Sequence, residues 1–531
     1  MIRIANCSGF YGDRLAAARE MVEGGPIDAL TGDYLAELTM AILARSEHGY
    51  ARTFLRQLDD VLAPCLERGI KIVSNAGGLA PAALAEQVRA LGAKVAHVEG
   101  DDVHDRFDGA LTANAYLGAW GIVEALRGGA DVVVTGRVTD ASLVVGPAAW
   151  RYGWARDDWN ALAGAVVAGH VLECGAHATG GNFAFFREVP GLEHPGFPLA
   201  EVHEDGSSVI TKHDGTGGLV SVETVTAQLL YEIDSPRYLG PDVTTRFDTI
   251  RLSQDGPDRV CIDGVRGEPP PPTLKVAVNR FGGYRNQMTF VLTGLDVDEK
   301  ADLVLRSLPL DGLDADVRLV RFGDVDAHLR VAVRGPDAER VGRGFSRAAI
   351  ELGLASYPGF HTTTPPGDAS PYAIYEAAAL PAHDVEHVVV HHDGRRVTIE
   401  PTSVPKVEQQ KLRAESRGAA VGGPTRRAPL GRLFGARSGD KGGDANVGVW
   451  ARSDDAYAWL CDFLTPEKFS ELVPEAPHVD RYELPNLLAL NFVARGLLGE
   501  GVAASTRPDP QAKSLGEYLR AREVDLPEAL L

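Results

Sequence analysis

The stretch IKIVSNAGG at residues 70–78 decides the fold class of this chain, because a short apolar run ends there in small and polar residues. Three further runs, at residues 2–4, 95–98 and 132–134, end in the same way. Helical patterns separate the four runs, which predicts parallel strands of a βαβα array. In such sheets ligands bind at the carboxyl ends of the strands, so we expect the functional site there.

The composition is that of a water-soluble globular protein of two or three domains, with 531 residues, 44% apolar and 24% charged. A net charge of −20 argues against nucleic acid as a partner, since phosphate binding needs a basic surface. The five cysteines form no CxxC pair, which favours a reducing compartment. With no secretory signal and no apolar run of about 18 residues, the sequence predicts a cytoplasmic protein without a membrane partner.

The pattern of the sequence changes near residue 185 and again near residue 414. We predict one domain over 1–413, made of an α/β part with a mostly parallel sheet (1–184) and an α+β part (185–413), and a small α+β domain over 430–531. A glycine- and proline-rich linker is expected at 414–429. Other predicted elements are helices at 113–126 and from about residue 487, a strand at 224–230, and a hairpin at 387–399.

Six candidate substrate-binding residues follow the predicted strands: Asn6, Asn75, Gly77, Gly78, Arg137 and Asp140. A seventh, Asp33, precedes the second predicted helix, where it either caps that helix or faces the same strand ends. The backbone N–H groups from Ser74 to Gly78 are placed to hold an anion at a helix entrance. Arg137 is suited to hold a carboxylate or phosphate. The structural alternatives are tight-turn glycines and an Arg137–Asp140 ion pair.

The segment HVLECGAH at residues 170–177 contains the sharpest short cluster of reactive side chains. His170, Glu173 and Cys174 share one face of a predicted helix. We predict His170 and Glu173 as catalytic acid or base groups and Cys174 as a substrate contact. The alternatives are a structural helix end and a metal site that also uses His177, although the order HExxH is absent.

Two glycine-rich loops complete the set of candidates. Asn182 ends the loop TGGN, whose donors are suited to an oxyanion. Ser438, Asp440 and Lys441 lie in a loop at 436–446, where they are predicted to bind an anion and exchange a proton. The alternatives are an ordinary turn and a flexible hairpin.

Taken together, these segments resemble the acyclic terpene utilisation AtuA family over almost the whole chain. The strings that carry the resemblance are TGDYLAELTM (31–40), VSNAGGL (73–79), ANAYLG (113–118), TGRVTDASL (135–143), ECG (173–175), TGGNF (179–183), SGDKG (438–442), NVGV (446–449) and NFV (491–493). The resemblance implies a large N-terminal AtuA domain and a C-terminal ferredoxin-like domain. It also implies breakdown of citronellol- and geraniol-type acyclic terpenoids, alongside acyl-CoA carboxylation, hydration and lyase steps.

We expect an enzyme of hydratase or lyase type that acts on a branched or terpenoid acid or its acyl-CoA, because such reactions need a base, an acid and enolate donors. Glu173, His170, Lys441 and Asp440 are the predicted catalytic residues. We expect a homo-oligomer without a cofactor. The alternatives are a metal-assisted hydrolase that uses a divalent metal and a non-catalytic partner subunit of a carboxylase or another pathway enzyme. A nicotinamide or nucleotide enzyme has less support, since neither GxGxxG nor a P-loop occurs.

Overall fold

The computed structural model describes residues 1–363, 365–402 and 423–531. These residues form two compact units. The first contains Met1–Val278, Ala377–Leu497 and Gln511–Leu531, and the second contains Asn279–Glu376 and Leu498–Pro510. The domain bounds inferred from the sequence, 1–413 and 430–531, follow changes in composition and stay predictions.

The N-terminal part of the first unit alternates strands and helices as far as residue 172. Its strands are β1 (Ile2–Asn6), β2 (Ala29–Gly32), β3 (Lys71–Ser74), β4 (Val95–Glu99), β5 (Ala110–Ala115), β6 (Val132–Thr135), β7 (Pro198–Val202), β8 (Ser208–Lys212), β9 (Arg237–Leu239), β10 (Thr244–Arg246), β11 (Arg251–Gln254), β12 (Val260–Asp263), β13 (Arg266–Glu268) and β14 (Thr273–Thr293), which continues into the second unit. Its helices are α1 (Ala17–Gly24), α2 (Glu37–Leu43), α3 (Arg52–Arg68), α4 (Pro81–Ala90), α5 (Trp120–Arg127), α6 (Ser142–Tyr152), α7 (Trp159–Leu172) and α8 (Val222–Leu229).

The second unit is built around the later part of β14 and a sheet that packs on two helices. Its further elements are α9 (Val297–Ser307), β15 (Asp314–Arg321), β16 (Asp326–Gly335), α10 (Phe345–Glu351), β17 (His361–Thr362) and β18 (Ser370–Pro381). Apolar residues of α9, α10 and β16 form its own core, which includes Val304, Leu329 and Phe345.

The chain then returns to the first unit with a hairpin and a small antiparallel domain. The elements are β19 (Val388–Val390), β20 (Arg396–Thr398), β21 (Thr425–Pro429), β22 (Phe434–Lys441), β23 (Asp444–Ala451), α11 (Asp454–Phe463), α12 (Pro466–Leu472), β24 (Val479–Leu484), β25 (Ala489–Ala494), α13 (Leu515–Arg520) and β26 (Glu523–Pro527). Strands β22, β23, β25 and β24 pair in that order, and β21 pairs with β26. This is the ferredoxin-like α+β domain expected from the resemblance.

The main sheet has the order β11-β12-β8-β7-β1-β2-β3-β6-β4-β19-β20. Its central strands β1, β2, β3, β6 and β4 are parallel, which confirms the α/β prediction. Alternate residues of a strand face opposite sides of a sheet. Val133 accordingly packs with α5, α6 and α7, whereas Val132 and Val134 pack with α1, α3 and α4. Helix α7 lies in the core with its last eleven residues buried, which fixes the position of the residues that follow it.

Several predicted elements were wrong. Residues 113–126 are not one helix: β5 ends at Ala115 and α5 begins at Trp120. Of the strand expected at 224–230, residues 224–229 belong to helix α8 and Leu230 follows its end, because Ser221 caps that helix by accepting a hydrogen bond from the backbone of Thr224. The strand β2 was missed, since it has only four residues and ends in Thr-Gly.

The C-terminal region also needs correction. The helix expected from residue 487 is strand β25, which begins after Leu488 takes a positive φ of 49°. Of the predicted linker, residues 414–422 lie outside the described residues, and residues 425–429 form strand β21. The loop predicted at 436–446 is a tight hairpin, in which β22 runs to Lys441 and β23 starts at Asp444.

Candidate active site

The carboxyl ends of β2 and β3 bring Asp33 and Asn75 together. Nδ2 of Asn75 donates to Oδ1 of Asp33 at 2.5 Å, and Oδ1 of Asn75 accepts from the backbone N–H of Tyr34 at 2.8 Å. Burial, followed by the negative charge of Asp140, raises the pKa of Asp33 well above its usual range. Both ends of the Asn75 amide are therefore engaged in holding Asp33 in place.

Arg137 lies past the end of β6 and pairs with Asp140. Its Nη2 is 2.7 Å from Oδ1 of Asp140, Nη1 donates to the carbonyl of Leu35, and the guanidinium stacks at 4.2 Å over the ring of Tyr116. The Arg137 side chain is only 3% exposed, whereas that of Asp140 is 30% exposed. The guanidinium already has a carboxylate partner within the protein, and the carboxylate reaches solvent.

Glu173 follows the last residue of α7, one helical turn after His170. Nδ1 of His170 lies 2.9 Å from Oε1 of Glu173, and the imidazole packs against the rings of Tyr238 and Phe247. Nδ2 of Asn6, at the end of β1, donates to the carbonyl of Leu172 at 2.6 Å and so ties this helix end to the sheet. Among the described residues, neither ring nitrogen of His170 nor Oε2 of Glu173 has a partner with hydrogen-bond geometry.

Burial determines the protonation states of His170 and Glu173. It lowers the pKa of His170 to about 4, with a further contribution from the charge of Lys441. It raises the pKa of Glu173 well above the usual range, with a further contribution from Asp140. His170 is therefore neutral at physiological pH, and Glu173 keeps its proton to an unusually high pH.

The hairpin between β22 and β23 contributes Asp440 and Lys441. Nζ of Lys441 donates to the carbonyl of Glu232 at 2.7 Å. Burial lowers the pKa of Lys441, and the charge of Lys275 adds to this effect. Burial and the charge of Glu37 raise the pKa of Asp440 to about 7. The two groups thus have pKa values displaced from their usual ranges in the directions that favour proton exchange near neutrality.

Glu232 belongs to the same cluster, and sequence reasoning missed it. It has a positive φ of 56°, which is unfavourable for a residue with a long side chain. Burial and the neighbouring Asp440 raise its pKa well above the usual range. Its flanking residues Tyr231 and Ile233 carry no recognisable motif, so the only signal lies in the structure.

A second group of side chains lies next to this cluster. His177 and Asn182 follow α7, whereas Arg437 and Lys513 come from the C-terminal domain. Nζ of Lys513 is 3.2 Å from Oε1 of Glu232 and 3.6 Å from Oδ1 of Asp440. The two groups therefore adjoin through Lys513.

Cys174 is adjacent to Glu173 in the chain. Burial and the negative charge of Glu173 raise the pKa of its thiol well above the usual range, so the thiol stays protonated near neutral pH.

The acidic and basic groups reach solvent and do not lie in a sealed core. Glu232 is 34% exposed and Lys513 is 39% exposed, yet desolvation is the first cause of the pKa shift of both. The predicted residues Asp33, Asn75, Arg137, Asp140, His170, Glu173, Asp440 and Lys441 all contribute to this cluster, to which the structure adds Glu232 and Lys513.

The comparison with family models agrees with the fold. Residues 2–391 match the acyclic terpene utilisation family protein AtuA, and residues 428–525 match the AtuA ferredoxin-like domain. The chain belongs to the AtuA family. No curated protein matches the chain.

Residues in several of the AtuA-family sequence motifs quoted above fix the conformation of the backbone. A Cβ on Gly77 would lie 2.5 Å from the carbonyl of Thr135, and Gly78 has a positive φ of 52°. Oγ of Ser438 donates to the carbonyl of Lys513 and accepts from the backbone N–H of Gly516. Ser438 thereby holds the segment that carries Lys513, and close packing accounts for both glycines. Ligand binding by Gly77, Gly78 and Ser438 stays a prediction.

Two other properties of this AtuA-family chain concern the described residues alone. There, no group of three or more His, Cys, Asp or Glu side chains is arranged to hold a metal ion. Over the same residues, no helix combines the length and the apolar character that a membrane span requires.

Proposed function

We propose that this AtuA-family protein is an enzyme of acyclic terpenoid or branched-chain acid catabolism that transfers protons in a hydratase- or lyase-type reaction. One observation carries the proposal: Glu173, Glu232, Asp440 and Lys441 converge at the carboxyl edge of the parallel strands, and burial displaces the pKa of each. Displaced pKa values in a cluster of titratable groups are typical of groups that exchange protons with a substrate.

The chemistry needs one group that gives a proton and one that takes it. In a hydration, Asp440 takes a proton from water while the water oxygen bonds to the β-carbon of a conjugated acid. The carbon–carbon double bond opens, and Glu173 gives its proton to the α-carbon. Lys441 stabilises the developing enolate oxygen, and proton exchange with solvent restores both carboxyl groups. In the reverse direction the same groups remove water.

The substrate in this proposal is a small molecule, either the free acid or its acyl-CoA. The acidic composition and the absence of a nucleotide-binding motif in the sequence support this class over nucleic acid or nicotinamide substrates. The proposal includes a homo-oligomer in the cytoplasm that needs no resident cofactor.

Proton transfer can be tested before the full reaction is known. The purified chain is incubated in D₂O with geranate, citronellate and 3-methylbut-2-enoate, each as the free acid and as the CoA thioester, and ¹H NMR follows deuterium uptake and water addition. We expect uptake at the α- or γ-carbon of at least one compound. Glu23→Gln, on the exposed face of α1, is the matched control for Glu173→Gln. If no compound that binds exchanges a proton or reacts, the proposal fails.

A further inference from the structure

Arg437, which is partly buried, differs from the buried Arg137 in its partners. Arg137 meets the carboxylate of Asp140, whereas Arg437 donates to the carbonyl of Asn182 at 3.0 Å and lies against the ring nitrogens of His177 at 2.7 and 2.8 Å. Among the carboxylates of the described residues, none lies within ion-pair distance of Arg437. Its guanidinium therefore keeps its positive charge free to pair with an anion from outside the protein.

The surroundings of Arg437 hold more hydrogen-bond donors than acceptors. The guanidinium has five N–H groups, and a neutral imidazole accepts at only one nitrogen. Nδ2 of Asn182, another donor, lies 2.9 Å from Nε2 of His177. The ring of Tyr231 lies beneath both cations, 4.6 Å from Arg437 and 4.5 Å from Lys513. Nζ of Lys513 already has acceptors in the hydroxyl of Tyr231 and the carboxyl groups of Glu232 and Asp440, so the donors without a matching set of acceptor oxygens are those of Arg437.

The protonation states agree with this geometry. Burial and the charges of Arg437 and Lys513 lower the pKa of His177 well below its usual range, so the imidazole is neutral. Burial lowers the pKa of Lys513 to about 8. An anion in this position would give Arg437 a counter-charge and would lie beside the ammonium group of Lys513.

We propose that Arg437, Lys513, His177 and Asn182 form an anion-binding subsite, named here the Arg437 subsite, for a carboxylate or phosphate group of the ligand. Arginine on an aromatic face with amide and imidazole donors at its side recognises such oxygen groups. The inference rests on the proposed function only in the choice of ligand. Since Lys513 also touches Glu232 and Asp440, the bound anion would lie beside the acid–base cluster.

Binding measurements on the full chain test the subsite. Calorimetry compares 3-methylbut-2-enoate, its uncharged amide, free CoA and inorganic phosphate. We expect one of the anions to bind and the amide to bind at least about tenfold more weakly, since a charge-assisted hydrogen bond contributes about 1.5–3 kcal/mol. A preference for 3-methylbut-2-enoate identifies a carboxylate subsite, and a preference for CoA or phosphate identifies a phosphate subsite.

Variants assign the binding to the subsite. Arg437→Gln should weaken binding of the preferred anion by about tenfold or more, and Arg437→Lys should restore part of the affinity. Arg19→Gln, which changes an exposed residue, should bind the anion as the wild type does. If Arg437→Gln does not fold, as judged by its melting temperature, Lys513→Gln takes its place. The subsite is rejected if no anion binds better than the amide or if both variants keep wild-type affinity.

The outcome is separable from that of the proposed function. Loss of anion binding in Arg437→Gln, together with full activity of Glu173→Gln, supports the subsite and contradicts the acid–base role of Glu173. Unchanged binding in Arg437→Gln with an inactive Glu173→Gln contradicts the subsite alone.

Discussion

The backbone N–H of Glu232 donates a hydrogen bond of 2.8 Å to Oδ1 of Asn446, in the second strand of the ferredoxin-like sheet. Asn446 is hydrogen-bonded in turn to Asn491, whose Nδ2 donates to the carbonyl of Asp234 at 2.9 Å. Both asparagines are fully buried. The C-terminal domain therefore holds the left-handed turn that carries Glu232, and it supplies Lys441 to the same cluster.

Removing this support should lower both stability and activity. Asn446→Ala leaves the N–H of Glu232 without its acceptor, which we expect to cost about 1–3 kcal/mol in the free energy of unfolding. Urea denaturation measures this change, and the exchange assay measures activity. Asn286→Ala removes an amide that donates to the carbonyl of Val341 in the other compact unit, so it should lower stability without lowering activity. Equal activity losses in the two variants would show that Asn446→Ala does not act through the turn of Glu232.

Glu232→Gly should separate stability from activity. Glycine adopts a positive φ without the penalty of roughly 1–2 kcal/mol that other residues incur, although its greater freedom in the unfolded chain offsets part of this gain. The change also removes a desolvated carboxyl group. We expect a melting temperature equal to or above that of the wild type, with reduced activity, because the carbonyl of Glu232 holds Nζ of Lys441 and its carboxyl group lies beside Lys513.

The control for the backbone effect alone is Asp296→Gly. Asp296 has a positive φ of 58° and precedes α9 without capping it through its side chain. The Asp296→Gly variant should gain stability without a loss of activity. A destabilised Glu232→Gly, or one with wild-type activity, would contradict a strained turn that serves catalysis.

Glu173→Gln should abolish proton transfer and preserve the fold. Glutamine keeps the shape of the side chain but has no proton to give near neutral pH, so kcat should fall by about 10²–10⁴-fold. Since glutamine avoids the desolvation that raises the pKa of Glu173, we expect no loss in melting temperature. The assay uses the compound that exchanges fastest with the wild type, and Glu23→Gln should retain full activity. A rate within a factor of about two of the wild type would remove Glu173 from the mechanism.

The parallel sheet and the candidate site at the carboxyl edge of its strands were predictable, because short apolar runs that end in polar residues are a local sequence pattern. The runs containing Val73, Val98 and Val133 gave three central strands, and the residues after them marked the edge. Strand β25 was not predictable in the same way, since the sequence LALNFVA at residues 488–494 contains no helix breaker. The positive φ of Leu488, which precedes the strand, is visible only in the structure. Tertiary pairing with β23 and β24 decides its conformation.

The residues of the candidate site were predictable where a local motif is visible. Asn75 and Arg137 follow predicted strands, and Glu173 and Lys441 lie in short segments rich in reactive side chains. Glu232 and Lys513 come from segments without a motif. They join the cluster because the ferredoxin-like sheet packs against residues 230–232, close enough that a Cβ on Gly439 would lie 2.5 Å from the ring of Tyr231. Sequence spacing carries no information on such a contact, so only coordinates reveal it.

The pH dependence of kcat/KM should contain a limb from Asp440. Its pKa near 7 means that the base form required by the proposed mechanism accumulates as the pH rises through about 7. The rate should therefore increase across that window and then level off. In Asp440→Asn this limb should disappear along with most of the activity, whereas Asp102→Asn, on the exposed surface, should keep the wild-type profile. A rate that falls as the pH rises from 6 to 8 would contradict the role of Asp440 as a base.

The stability of the fold should depend on pH through Asp242, a buried residue whose Oδ2 accepts a hydrogen bond from the backbone N–H of Ala119 at 2.8 Å. Burial raises its pKa from the ordinary 3.8 to about 6. A group with a raised pKa in the folded state binds its proton more tightly there, so ionisation favours the unfolded chain. The free energy of unfolding should therefore decrease as the pH rises from about 4 to about 6.

Asp242→Asn isolates this contribution, because asparagine retains an oxygen that accepts from Ala119 but cannot ionise. The variant should match the wild type near pH 4 and exceed it at pH 7 by up to about 3 kcal/mol. Asp101, whose pKa is also raised by burial to about 6, adds a parallel slope to both proteins, and the difference between them cancels it. Urea denaturation at each pH measures the difference. A gap that is constant from pH 4 to pH 7, or that narrows as the pH rises, would show that Asp242 is not neutral in the folded protein at low pH.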